Sequence, residues 1–168
     1  GWTALQAYVP PPERRGLVLV DPPFEENADF HRLSHMLGLA HRKWATGIYA
    51  LWYPIKGRGE VDELAKRISK LGIPKVLRAK LTVSPVSDPT RLNGSGLILV
   101  NPPWTLRAEL EALLPELAGL LARQPNGGGF KLDWLSGEDA GKSAGKAAAK
   151  SVPKSGGKTT GKTTRKTR

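Results

Sequence analysis

Asp21 ends the apolar run Gly16-Leu17-Val18-Leu19-Val20 and is followed by Pro22, Pro23 and Phe24. A carboxylate in that position can accept a hydrogen bond and then a proton. Two consecutive prolines have fixed φ and no N–H, so they stiffen the turn and direct its carbonyls outward. Phe24 adds an aromatic face on which a planar ring can stack. The uninterrupted leucines and valines ahead of Asp21 predict a strand buried on both faces. Such strands belong to parallel sheets, and ligands of open α/β sheets collect at their carboxyl ends. The tetrapeptide taken alone is equally compatible with an ordinary Asp-Pro turn.

Strand, acid, two prolines and an aromatic together resemble the Asp/Asn-Pro-Pro-aromatic motif of methyltransferases that act on exocyclic amino groups. That resemblance implies a role for each residue. An adenine N6 amino group is a poor nucleophile because its lone pair is delocalised into the ring. Hydrogen bonds to Asp21 and to the Pro22 carbonyl would draw the nitrogen toward tetrahedral geometry, Pro23 would hold the turn, and Phe24 would stack on the base.

A second run, Gly96-Leu97-Ile98-Leu99-Val100, ends in Asn101-Pro102-Pro103-Trp104 and matches the same pattern. Topology separates the two. The strand-like stretch 75–84 reaches this run through residues 85–95, a Pro/Asp/Asn/Gly-rich connection too short for a crossover helix, so the two strands are antiparallel. One of them therefore runs against the parallel sheet. If it is the second, Asn101 faces away from the active edge; Asn is also the weaker proton acceptor. The second copy reads as structural.

The positioning elements follow from periodicity. A short helix and a Pro-rich loop occupy residues 1–15. Phe30, Leu33, Leu37 and Ala40 have helical spacing within 29–44, and 46–55 reads as a second buried strand. Residues 60–71 form an amphipathic helix with Val61, Leu64, Ala65, Ile68 and Leu71 on one face, stopped by Gly72. A helix over 105–123 carries Pro115, expected to kink or divide it, and 129–135 suggests a last edge strand.

Three segments in order, residues 13–25 (ERRGLVLVDPPFE), 45–55 (ATGIYALWYPI) and 94–104 (GSGLILVNPPW), resemble the carboxyl-terminal half of the RlmJ family of bacterial 23S ribosomal RNA adenine-N6 methyltransferases. The resemblance covers residues 1–137. It implies an α/β fold, the carboxyl-terminal half of a class I, Rossmann-like methyltransferase sheet with one reversed strand. It also implies S-adenosylmethionine as cofactor, 23S ribosomal RNA as partner and the cytoplasm as location. Asp21 would be the active-site acid and would also border the cofactor. Gly1 resembles the glycine of a cofactor-contacting Asp-Gly pair. The family usually has Tyr where this chain has Phe24, which preserves stacking but not a phenolic hydroxyl. The chain starts at Gly1 without that acid and without a glycine-rich loop before a helix, so it reads as a fragment, inactive alone, whose cofactor-binding half lies elsewhere. An open sheet of that kind is expected to expose a hydrophobic edge.

Of 26 basic and 15 acidic residues, nine basic and no acidic ones lie in 140–168. Lysine recurs every fourth position there: Lys142, Lys146, Lys150, Lys154, Lys158, Lys162 and Lys166. Glycines, Pro153 and like-charge repulsion oppose a helix, so 138–168 is expected to be a disordered basic tail. It would anchor phosphates without reading sequence, or serve only as a solubilising extension. Arg14 and Arg15, with Arg42 and Lys43, are candidate RNA-backbone contacts or solvated loop residues. His31 and His35 share helical spacing but lack a carboxylate at zincin-like position, so no metal site is expected. Trp44, Tyr49, Trp52 and Tyr53 read as core, with Trp52 and Tyr53 able to border a nucleotide pocket. The chain has no cysteine, which fits a reducing compartment, and no apolar run long enough to span a membrane. Two functions remain open at this level: the methyltransferase, and a non-catalytic basic nucleic-acid-binding protein dominated by the tail.

Overall fold

The computed structural model describes residues 2–26, 28–125 and 127–137. Gly1 and the tail lysines lie outside the described residues, as does the expectation of disorder for 138–168. The order of elements is α1 (Trp2–Ala7), β1 (Leu17–Val20), α2 (Ala28–Lys43), β2 (Ile48–Ile55), α3 (Gly59–Ser69), β3 (Val76–Thr82), β4 (Gly94–Val100), α4 (Leu106–Leu120) and β5 (Gly129–Ser136). The strands form one sheet in the order β1-β2-β4-β3-β5.

β1 and β2 are parallel, whereas β4 is antiparallel to both β2 and β3. β4 is thus the reversed strand, wedged between two that run the other way. β5 closes the far edge antiparallel to β3. This is a mixed α/β sheet with one reversed strand, the topology expected from the sequence.

Alternation along β2 sorts its side chains into two cores. Tyr49, Leu51, Tyr53 and Ile55 are fully buried with Leu33 and Leu37 of α2 and Val61, Leu64 and Ile68 of α3. Ala50 points the other way and joins Leu77 and Leu99, covered by Leu106 and Leu110 of α4. Gly96 lies opposite Tyr53 in the ladder, and a Cβ there would come within 2.1 Å of the tyrosine ring. Only glycine lets that ring lie flat across β4. After α3 the chain turns through Gly72 at φ 68, a conformation glycine adopts without penalty.

Two expectations need correction. β1 is buried on one face only: Val18 and Val20 pack on the larger core, but Leu17 and Leu19 are 63% and 65% exposed. The reason is its place at the edge of the sheet, where α1 and α2 cover one side and no described element covers the other. Of the two outcomes expected at Pro115, division is the one overturned: α4 runs through it without interruption. Pro115 is exposed, so water can satisfy the carbonyl that its missing N–H leaves free.

Candidate active site

Asp21 leaves β1 one residue beyond Val20, whose register partner on β2 is Leu51. The next residue on β2 is Trp52, so the acid and the indole lie level at the carboxyl ends of two parallel strands. Pro22 is buried and fixes the backbone at that point, while Asp21 and Pro23 are exposed. Among the described residues Asp21 makes no hydrogen bond and no ion pair. Its acceptor capacity is therefore free for a ligand.

Phe24 ends the tetrapeptide at φ 50, in the left-handed region that costs a residue with a Cβ free energy. Its ring is held by Phe30 of α2, with centroids 4.8 Å apart, and by Trp52, 5.9 Å away in an edge-on arrangement. Phe24 is half-buried. The loop behind it is closed at the start of α2, where Asp29 Oδ2 accepts the Glu26 N–H (3.4 Å) and the Asp29 N–H reaches the Glu26 carbonyl (3.0 Å). Buried Asp29 thus acts as a helix-start acceptor that shapes the loop carrying Asp21. Phe30 and Asp29 support the site; the sequence placed Phe30 only on a helix face and gave Asp29 no role. The spacing alone did not reveal the capping role, since Glu26 is not one of the side chains that open a capping box.

Asp21, Pro22 and Pro23 open onto a cleft of about 1110 Å³ walled by Trp2, Tyr8, Leu17 and Leu19. Those walls are apolar side chains against which a planar ring could lie. No group of three or more His, Cys, Asp or Glu that could hold a metal ion occurs among the described residues, and His31 and His35 are both exposed on α2.

Other candidates separate by position. Arg14 and Arg15 are exposed just before β1, so they stand at the opposite end of the strand from Asp21, about 20 Å of extended chain away. Arg15 still lines the same cleft. Arg42 and Lys43 end α2, and the Lys43 ammonium donates to the Gln6 carbonyl at 2.8 Å, tying α2 to α1. Trp44, Tyr49 and Tyr53 are buried. Of the two β2 aromatics expected near a nucleotide pocket, only Trp52 reaches the site; Tyr53 lies at 0% exposure in the core. Burial pushes the Tyr53 phenol far above its usual range. No described side chain or backbone group partners its hydroxyl.

Asn101 lies elsewhere. Val100 pairs with Tyr49 near the start of β2, so Asn101 sits at the sheet edge away from Asp21. Its amide donates to the carbonyls of Ala45 and Gly47 at 2.8 and 2.9 Å, pinning the turn that feeds β2. The two look-alike tetrapeptides also differ in backbone: positive φ falls on the fourth residue at Phe24 and on the first at Asn101 (φ 52).

Residues 1–136 match the family described as ribosomal RNA large subunit methyltransferase D, RlmJ. Two curated relatives carry the name ribosomal RNA large subunit methyltransferase J. The one from Haemophilus influenzae is 37% identical over 139 residues, covering 82% of this chain and 49% of that protein. The one from Escherichia coli K12 is 39% identical over 117 residues, covering 70% of this chain and 42% of that protein. A crystal structure of a Legionella pneumophila protein superposes with a TM-score of 0.72 at 27% identity, over 81% of this chain and 49% of that one. The chain spans about half the length of the curated relatives it matches.

Proposed function

This chain belongs to the RlmJ family of ribosomal RNA large subunit methyltransferases, and we propose that it forms the catalytic half of an adenine-N6 methyltransferase acting on 23S ribosomal RNA. The observation that carries the reading is the exposed Asp21 carboxylate, uncommitted among the described residues, at the carboxyl end of β1 with Pro-Pro-Phe behind it. Asp21 accepts a hydrogen bond from the N6 amino group, holds its lone pair out of the ring, and takes the proton released on transfer. Pro22 contributes its carbonyl to the same amino group. Phe24, braced by Phe30 and Trp52, offers its remaining face to the base. S-adenosylmethionine supplies the electrophilic methyl group when bound, with Asp21 and the apolar wall of Leu17, Leu19, Trp2 and Tyr8 forming this chain's side of its pocket and Gly1 a further edge. The other side we assign to the half of the relatives that this chain does not span, packed along β1. The lysines of 140–168 act as a sequence-independent anchor for phosphates.

The test is nucleoside analysis. The intact protein is incubated with S-adenosylmethionine and unmodified 23S ribosomal RNA, and the digest is resolved by mass spectrometry. N6-methyladenosine is expected. Methylation at a ring carbon, a ribose hydroxyl or a cytosine would overturn the adenine-N6 reading. RNA binding with no methyl transfer would favour the non-catalytic alternative that the basic tail suggests.

A further inference from the structure

Lys80 and Lys131 stand directly opposite one another on β3 and β5. Like charges in that relation destabilise a sheet unless something offsets them. Lys131 reaches Asp133 at 3.3 Å, but that carboxylate is already gripped by the Arg78 guanidinium through two hydrogen bonds of 2.8 and 2.7 Å. Lys80 has no hydrogen bond or ion pair among the described residues. Burial, and then the charge of Arg78, lower its pKa, as expected of an ammonium short of countercharge.

Both lysines line a groove of about 500 Å³ with Arg58, Thr82, Ser84 and Phe130. Arg58 is exposed at the start of α3 and makes no capping hydrogen bond. Phe130 is 48% exposed. The walls are fixed: Thr82 donates to the Gly129 carbonyl at 3.1 Å and Ser84 to Asn93 Oδ1 at 3.0 Å. Asp62 is the one carboxylate on the lining, against three cations.

Position gives the groove its meaning. β2 and β3 are both antiparallel to β4, and β1 is parallel to β2. The carboxyl ends of β1, β2 and β3 therefore share one edge of the sheet, which carries Asp21, Arg58 and Ser84. β1 and β3 are three strand spacings apart, about 14 Å. A stacked strand advancing ~3.4 Å per nucleotide covers that distance in about four nucleotides.

We propose that this groove holds the phosphodiester backbone of the single-stranded RNA flanking the adenine offered to Asp21. Arg58, Lys80 and Lys131 take phosphates, and Phe130 stacks on a base. The inference rests on the reading of Asp21 given above.

The experiment replaces Arg58, Lys80 and Lys131 by Gln, singly and together, and replaces Phe130 by Ala, in this 168-residue chain and in the intact protein. Labelled single-stranded RNA is titrated at several salt concentrations, with circular dichroism to verify folding. If each cation engages one phosphate, log K against log salt loses a slope of about 2 in the triple variant, from ~0.7 per phosphate. Phe130→Ala should weaken binding about tenfold. In the intact protein the triple variant should raise KM for RNA and keep kcat. Lys66→Gln, on the last turn of α3, and Lys70→Gln, at its carboxyl-terminal cap, should leave the slope unchanged. Arg58→Gln alone, at an exposed position, guards against misfolding of the triple variant. An unchanged slope in both folded variants overturns the proposal. So does a loss of inorganic phosphate binding with RNA binding intact, which would make the groove a small-anion site. Groove-dependent RNA binding by an intact protein that transfers no methyl group would sink the methyltransferase reading and leave the RNA surface standing. Methyl transfer with an unaltered KM in the triple variant would do the reverse.

Discussion

Asp21 and Asn101 begin tetrapeptides that a pattern search treats alike, and their surroundings give them opposite work. Asp21 is exposed and makes no hydrogen bond among the described residues, so replacing it removes nothing that holds the fold. Asp21→Ala in the intact protein should lower kcat for methyl transfer by at least ~10²-fold, the usual contribution of a positioned proton acceptor, and leave the thermal midpoint unchanged. Wild-type turnover would remove Asp21 from the chemistry. Asn101 spends both amide hydrogens on the turn into β2 and sits at φ 52, which asparagine tolerates better than alanine. Asn101→Ala should cost about 2–3 kcal/mol in urea unfolding, from two lost hydrogen bonds and the strained backbone, with kcat kept. Equal losses of activity from the two substitutions, in folded proteins, would mean that both edges of the sheet take part.

Between the apolar pairs Leu77–Trp134 and Ala79–Leu132, β3 and β5 meet through an ion pair. Arg78 is buried and Asp133 meets it through both carboxylate oxygens. Burial on its own would raise the Asp133 pKa, but the hydrogen bonds and charge of Arg78, then of Lys131, outweigh it and hold the group below the ordinary 3.8. A depressed carboxylate stabilises the fold fully above its unfolded value and loses that contribution as pH falls through its folded value. Stability should therefore decline below about pH 4. Asp133→Asn should flatten that decline while costing about 3–5 kcal/mol at neutral pH, since it strands a buried guanidinium. A variant with the same acid dependence as the parent would place the titration elsewhere. None of this was legible in the sequence, because Arg78 and Asp133 meet only once the register of two strands is set. What could be read was local. Helical spacing predicted α2 and α3, and the short connection before β4 predicted an antiparallel pair, one strand of which opposes the parallel sheet. The four apolar residues of β1 carry no information about whether a second layer covers Leu17 and Leu19, which is why full burial was expected of a strand that has one bare face. Phe24, Pro22 and Asp21 were found because their chemistry is contiguous; Arg58, Lys80 and Lys131 were not, because three connections bring them together.

The whole molecule presents an open parallel edge beside its candidate catalytic acid. Leu17 and Leu19 are exposed there, Trp2 and Tyr8 wall the same cleft, and the chain spans about half the length of its curated relatives. If the remaining half packs along β1 and completes the cofactor pocket, two measurements follow from one geometry. This chain alone should show no saturable heat with S-adenosylmethionine in calorimetry up to millimolar concentration, because it holds only one wall of the pocket; micromolar binding would contradict that. Leu19→Ala should cost less than about 0.5 kcal/mol in the chain alone, as at other exposed positions. In the intact protein the same substitution should cost about 2–5 kcal/mol, the range for emptying a buried leucine site. Because Leu19 also lines the cleft beside Asp21, both stabilities are measured without cofactor, so that only packing is compared. Equal effects in the two contexts would mean that this face meets solvent in both, and the partner half would have to bind its cofactor away from Asp21.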